Sequence, residues 1–80
     1  MKLYWPMAIC EDGYKMHTYE GFKNAEECKK VFEEWEKGYK WWIKEAWIDV
    51  TDSKNSWYRA RIDVKKDYIL GEEVEIDENP

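Results

Sequence analysis

Eighty residues that are 44% hydrophobic and 39% charged bound a single small globular domain and exclude a disordered chain. The formal net charge of −5 arises in the last fourteen residues: Asp67 to Pro80 hold six acids and no base, whereas the rest holds 13 bases and 12 acids. No run approaches the roughly 20 apolar residues of a membrane-spanning helix, and no apolar leader follows Lys2, so a cytoplasmic protein without membrane partners is the expectation.

Leu3 to Cys10 reads as a strand, with Leu3, Trp5, Met7 and Ile9 on one face and Tyr4, Ala8 and Cys10 on the other. Pro6 has no N–H for a ladder hydrogen bond, which predicts an edge strand or a bulge. Asp12-Gly13 lies between two strand-like runs and signals a hairpin, with a return strand over Tyr14 to Glu20.

Asn24 with Glu27 makes a capping-box pattern before a helix spanning about Ala25 to Lys37. Ala25, Cys28, Val31, Phe32 and Trp35 form one apolar stripe at helical spacing. Glu26, Lys29, Lys30, Glu33, Glu34 and Lys37 occupy the opposite face, with Glu26–Lys30 and Glu33–Lys37 as favourable pairs, and Gly38 supplies a stop.

An aromatic connector, Tyr39 to Trp42, precedes a third strand over Ile43 to Val50. A polar loop, Thr51 to Ser56, leads to a fourth over Trp57 to Lys65. The runs Ala46 to Val50 and Ala60 to Val64 are near repeats. Ala46, Ile48, Val50, Ala60, Ile62 and Val64 then face the core, while Trp47, Asp49, Arg59, Arg61 and Asp63 face away. Two registers meet this condition. One sets Asp49 opposite Arg59 and Trp47 opposite Arg61; the other sets Trp47 opposite Arg59 and Glu45 opposite Arg61. Either brings a cation–π contact and a charge pair.

In the tail, Val74 and Ile76 alternate with Glu73, Glu75 and Asp77, the pattern of a half-buried strand with its acids toward solvent. The frayed end is Glu78 to Pro80. The chain therefore divides into a compact domain at 1–66 and an acidic strand or tail at 67–80. The expected fold class is α+β: a small antiparallel sheet of four or five strands, ordered β-β-α-β-β with an optional fifth. One helix packs on one face and leaves the other open.

No motif of hydrolase, metalloprotease, nucleotide or dinucleotide chemistry is present, so no enzyme, cofactor or catalytic residue is assigned. Cys10 and Cys28 with His17 fall short of a four-ligand zinc site, so no metal is assigned and two buried free thiols are expected. Cys10 and His17 flank the first hairpin and would meet only if its register places them on one face. The six Trp exceed what so small a core hides, which points to an interface.

The leading expectation is a protein-binding module that presents carboxylates to a basic, nucleic-acid-binding surface of a partner protein. Its acidic contacts are Glu72, Glu73, Glu75, Asp77 and Glu78; its aromatic and basic contacts are Trp41, Trp42, Trp47, Trp57, Arg59 and Arg61. Acids two residues apart on a strand stand roughly 6.6–7 Å apart, close to the spacing of successive phosphates. The alternatives are a single-stranded nucleic-acid binder using His17, Tyr19, Trp47, Arg59 and Arg61, with Lys15 nearby, or a homodimer that covers the open face. In size, acidity and aromatic content the chain resembles small phage-encoded inhibitors of bacterial defence systems, anti-CRISPR proteins among them; the resemblance is one of composition.

Overall fold

Residues 2–39, 43–52 and 59–76 are described by a computed structural model. Their elements are β1 (Lys2–Cys10), β2 (Lys15–His17), α1 (Ala25–Tyr39), β3 (Ile43–Asp52), β4 (Arg59–Lys65) and β5 (Ile69–Glu75). The strands form one antiparallel sheet in the order β2-β1-β3-β4-β5, with the helix on one face. The α+β class and the order of elements are those read from the sequence, and the acidic tail supplies the fifth strand. Among the described residues no helix is long and apolar enough to cross a membrane.

The helix begins as its sequence requires. Asn24 Oδ1 accepts a hydrogen bond from the Glu27 N–H at 3.0 Å, and the Glu27 carboxylate accepts one from the Lys23 N–H at 3.3 Å. Its reach back goes one residue further than in the usual reciprocal box. The other end differs from expectation, because the helix runs through Gly38 to Tyr39. Gly38 is exposed, and nothing lies within 4 Å of where its Cβ would be. Its weak helix propensity is opposed by Lys37 in the last turn, which favours the negative end of the helix dipole. Lys37 pairs with Glu34 at 3.4 Å.

Cys28 and Phe32 bring the helix stripe onto Ile48, Val50, Ala60 and Ile62, and all six are buried. Phe32 stands edge-on to Trp35 and stacks on Tyr68 at 5.8 Å with the rings 9° apart. Pro6, Ala8 and Cys10 extend the buried layer along β1, and Cys10 and Cys28 are free thiols.

The two near repeats pair about their centres. Ile48 faces Ile62, Val50 faces Ala60 and Ala46 faces Val64. The expected register that set Asp49 opposite Arg59 is therefore displaced by one two-residue step and the other by two, although the parity that keeps core opposite core is retained. In the observed register large faces small at both ends of the repeat, which fills the layer evenly beneath Phe32.

β1 as a whole lies between β2 and β3, but its pairing with β2 begins at Met7, so at Pro6 only the β3 side is paired within the sheet. Tyr4 N–H donates outward to Phe22 O at 2.8 Å and Cys10 N–H outward to Tyr14 O at 2.8 Å. Pro6 shares that outward phase, and its nitrogen lies in the gap between Phe22 and β2, where no donor is required. The bulge of β1 falls at Ile9/Cys10 instead. The return strand is also shorter than expected, three residues. The chain leaves it at Thr18, whose hydroxyl donates to Glu20 O at 2.9 Å, and returns to β1 through Gly21 and Phe22. A Cβ at Gly21 would stand 2.9 Å from both the Leu3 Cβ and the Trp5 ring, so the glycine admits the close approach of this segment.

The sheet curls strongly toward the helix. Lys2 on β1 and Glu73 on β5 form an ion pair of 2.7 Å, and Tyr4 O–H donates to Glu73 at 3.3 Å. Two strands lie between them, so in a flat sheet their backbones would be ~14 Å apart. A register shift between Ile62 and Val64 bends β5 at Gly71, where a Cβ would stand 2.9 Å from Asp63 O. The turn into β5 holds Asp67 and Tyr68 at φ 64° and 57°, each in the left-handed region that disfavours side chains by about 1–2 kcal/mol. Stacking of Tyr68 on Phe32 offsets this.

Phe32→Ala should lower unfolding free energy by about 3–5 kcal/mol in urea titration, because a fully buried ring leaves a cavity under the sheet. Burial, with Glu27 adding repulsion, raises the Cys28 pKa to about 12, and burial with Glu36 beside it raises Tyr68 to about 12. Ionisation is thus easier in the unfolded chain. Stability should be full below about pH 9 and fall as pH rises toward 12, with Cys28→Val flattening the first part of the decline. A urea midpoint that is unchanged from pH 8 to pH 11 would contradict this.

Candidate functional site

Register places Lys15 and His17 of β2 on the open face, away from the helix. With them lie Leu3, Trp5, Met7 and Ile9 of β1, Glu45, Trp47 and Asp49 of β3, and Arg59, Arg61 and Asp63 of β4. Trp47 and Arg61 form its centre. The Arg61 guanidinium carbon lies 4.6 Å from the Trp47 ring centroid. Arg61 Nε donates to Asp63 at 2.8 Å, and its terminal nitrogen crosses the ring to Glu45 at 3.0 Å. Trp47 Nε1 donates to Asp49 at 3.1 Å.

The Trp47–Arg61 contact belongs to one expected register and the Glu45–Arg61 pair to the other, and the Arg61–Asp63 pair to neither; the first two run diagonally, because Arg61 stands opposite Asp49 and not opposite Trp47 or Glu45. Partial burial opposes the charge on Arg61, yet hydrogen bonds to Asp63 and Glu45 outweigh it and raise the pKa. Two carboxylates thus hold the guanidinium and a third, Asp49, holds the indole N–H beside it, and an approaching phosphate meets their field first.

Trp5 extends this face and was not among the expected contacts. Half-buried, it donates from Nε1 to Thr51 Oγ1 at 3.0 Å. The signal for it lay in the alternation of β1, where the small residues Ala8 and Cys10 mark the opposite side as the one under the helix. Tyr19 stands at 92% exposure with its ring edge-on to His17 at 5.3 Å. Of the other aromatic calls, Trp41, Trp42 and Trp57 lie outside the described residues.

The Cys10–His17 pair does not form. His17 faces Met7 in the register and shares its side, whereas Cys10 belongs to the opposite side. Cys10 Sγ contacts Met16 Sδ at 3.5 Å, and burial, reinforced by Asp12, raises the thiol pKa. Both thiols are therefore poor nucleophiles. A cavity of about 470 Å³ between the hairpin and Trp35 includes Cys10, Met16 and His17 in its lining. Among the described residues no three His, Cys, Asp or Glu side chains converge as metal ligands.

β5 forms one rim of the sheet. Glu72, Glu73 and Glu75 are all exposed, but they do not form one ladder. Glu73 faces Ile62 and Glu75 faces Ala60, so both lie on the concave side, where Glu73 holds Lys2. Glu72, at the bulge, points to the open face. Asp77 and Glu78 lie outside the described residues. Val74 and Ile76, expected to be half-buried, are exposed at 61% and 38%. They share the side of Arg61, which the single helix does not cover.

No protein-family model, curated protein or solved structure matches this chain.

A double-mutant cycle between Glu45→Ala and Arg61→Ala should return a coupling of about 0.2–1 kcal/mol that shrinks as salt rises, since the pair is partly exposed. Zero coupling at low salt would mean that the contact across Trp47 is not held in solution.

Proposed function

We propose that this chain is a non-catalytic protein-binding module. Its C-terminal strand offers carboxylates to a basic, nucleic-acid-binding surface of a partner protein. The open face around Trp5 and Trp47 adds contact area. The observation that carries this reading is β5 itself: the net negative charge of the chain falls on or beside an ordered strand at the rim of the sheet. Charge in such a place steers association, while aromatic burial slows release. An inhibitor of the phage type would act by occupying the surface that a nucleic acid uses. The carboxylates of Glu45, Asp49 and Asp63 weigh against the open face as a nucleic-acid platform.

The test takes a basic nucleic-acid-binding protein captured by the immobilised chain and measures association by stopped flow. The variant is Glu72→Lys with Glu75→Lys; Glu73 is spared because it holds Lys2. Association should slow about tenfold at low salt with little change in dissociation, and added salt should shrink the difference. An association rate untouched by the reversals and by salt would overturn the reading.

A further inference from the structure

The cavity of about 470 Å³ between the first hairpin and the helix falls within the size range of ligand pockets, about 300–1,000 Å³. Its inner part is apolar: Cys10 is buried, and its thiol lies 3.5 Å from Met16 Sδ. Trp35 forms a wall and is held from behind by its edge-on contact with Phe32 at 5.8 Å. Tyr14 and Tyr19 line the mouth at 67% and 92% exposure, so neither ring serves the core. Asp12 supplies a carboxylate. Its Oδ1 accepts the Tyr14 N–H at 3.0 Å, which fixes it in the hairpin turn and leaves Oδ2 as a further acceptor. Burial raises the Cys10 pKa and Asp12 adds to the rise, so the field of this carboxylate reaches the inner cavity. His17 Nδ1 lies 3.2 Å from Thr18 O; a carbonyl only accepts, so Nδ1 carries the hydrogen and Nε2 of the neutral ring is an acceptor. Lys15 also lines the cavity, but it is exposed, and its long stem lets the ammonium stay in water.

We infer that this cavity receives an arginine side chain of the partner. The inference rests on the proposed basic protein partner and names its anchor. A guanidinium is flat, always cationic and a donor only. Trp35 and the two tyrosines offer aromatic faces to the flat cation, Asp12 offers opposite charge, and Asp12 Oδ2 and His17 Nε2 offer acceptors. An anion would meet the Asp12 field, a neutral ring would leave that carboxylate desolvated without a partner, and an ammonium has no flat face to stack. The cavity lies at the β2 rim of the sheet, at the other end from the rim that carries Glu72 and Glu75. Anchoring and steering are therefore separate tasks of separate rims.

The test titrates the full chain with a blocked Gly-Arg-Gly peptide and with versions carrying Lys or citrulline in place of Arg, read by chemical shifts. The Arg peptide should move the Trp35 indole and Tyr19 ring signals. The Lys version should bind about threefold more weakly, and the citrulline version, isosteric but neutral, about tenfold. Tyr19→Ala and Asp12→Asn should each weaken the Arg peptide about fivefold. Tyr19 is almost fully exposed, and Asn in place of Asp12 keeps an oxygen for the Tyr14 N–H, so both variants should fold. No binding, equal binding of the Arg and citrulline peptides, or binding that neither variant weakens overturns the inference. Free arginine that binds where the blocked peptide does not would assign the cavity to a small molecule, and would also overturn it. In each of these cases the reading of an acidic protein-binding module stands if association of the captured partner still depends on Glu72 and Glu75.

Discussion

A single helix covers a sheet of five strands, and the rest of the described structure follows from how it does so. Phe32 and Cys28 press into the small and branched residues of β3 and β4. To bury more of its apolar side, the sheet wraps toward the helix until Lys2 and Glu73 meet. The same wrapping gives the molecule a filled concave side and an uncovered convex one. Val74 and Ile76 are exposed because they lie on the uncovered side, while Glu75 lies at an uncovered margin of the concave one.

Much of this was legible in the sequence because simple periods govern it. The helix follows from the apolar stripe Ala25 to Trp35 and from the Asn24 cap. The inward set Ala46, Ile48, Val50, Ala60, Ile62 and Val64 follows from period-two alternation. The β3–β4 register was not legible, because any shift by two residues keeps every side chain on its proper face. Packing under Phe32 decides that shift, and packing is a tertiary property. The end of α1 was misjudged for a related reason: a Gly in the last turn stops a helix only when the chain has somewhere better to go.

At the candidate surface, alternation placed Trp47 and Arg61 on one face but could not show that three carboxylates enclose them. That arrangement depends on diagonal reach, which only the true register supplies. Likewise, the acids at Glu73 and Glu75 read as a solvent-facing ladder. The curl of the sheet instead turns them to the concave rim and engages Glu73 with Lys2. The Gly71 bulge separates Glu72 from them. Charge density was readable from the sequence; its direction was not.

Whether the acidic C-terminal stretch is held on β4 as a fifth strand is tested most directly by residue-resolved amide hydrogen exchange on the free protein. Val74 and Ile76, whose backbone groups face β4, should exchange slowly at every protein concentration. Exchange at Val74 and Ile76 as fast as in an unfolded chain would contradict the five-stranded sheet.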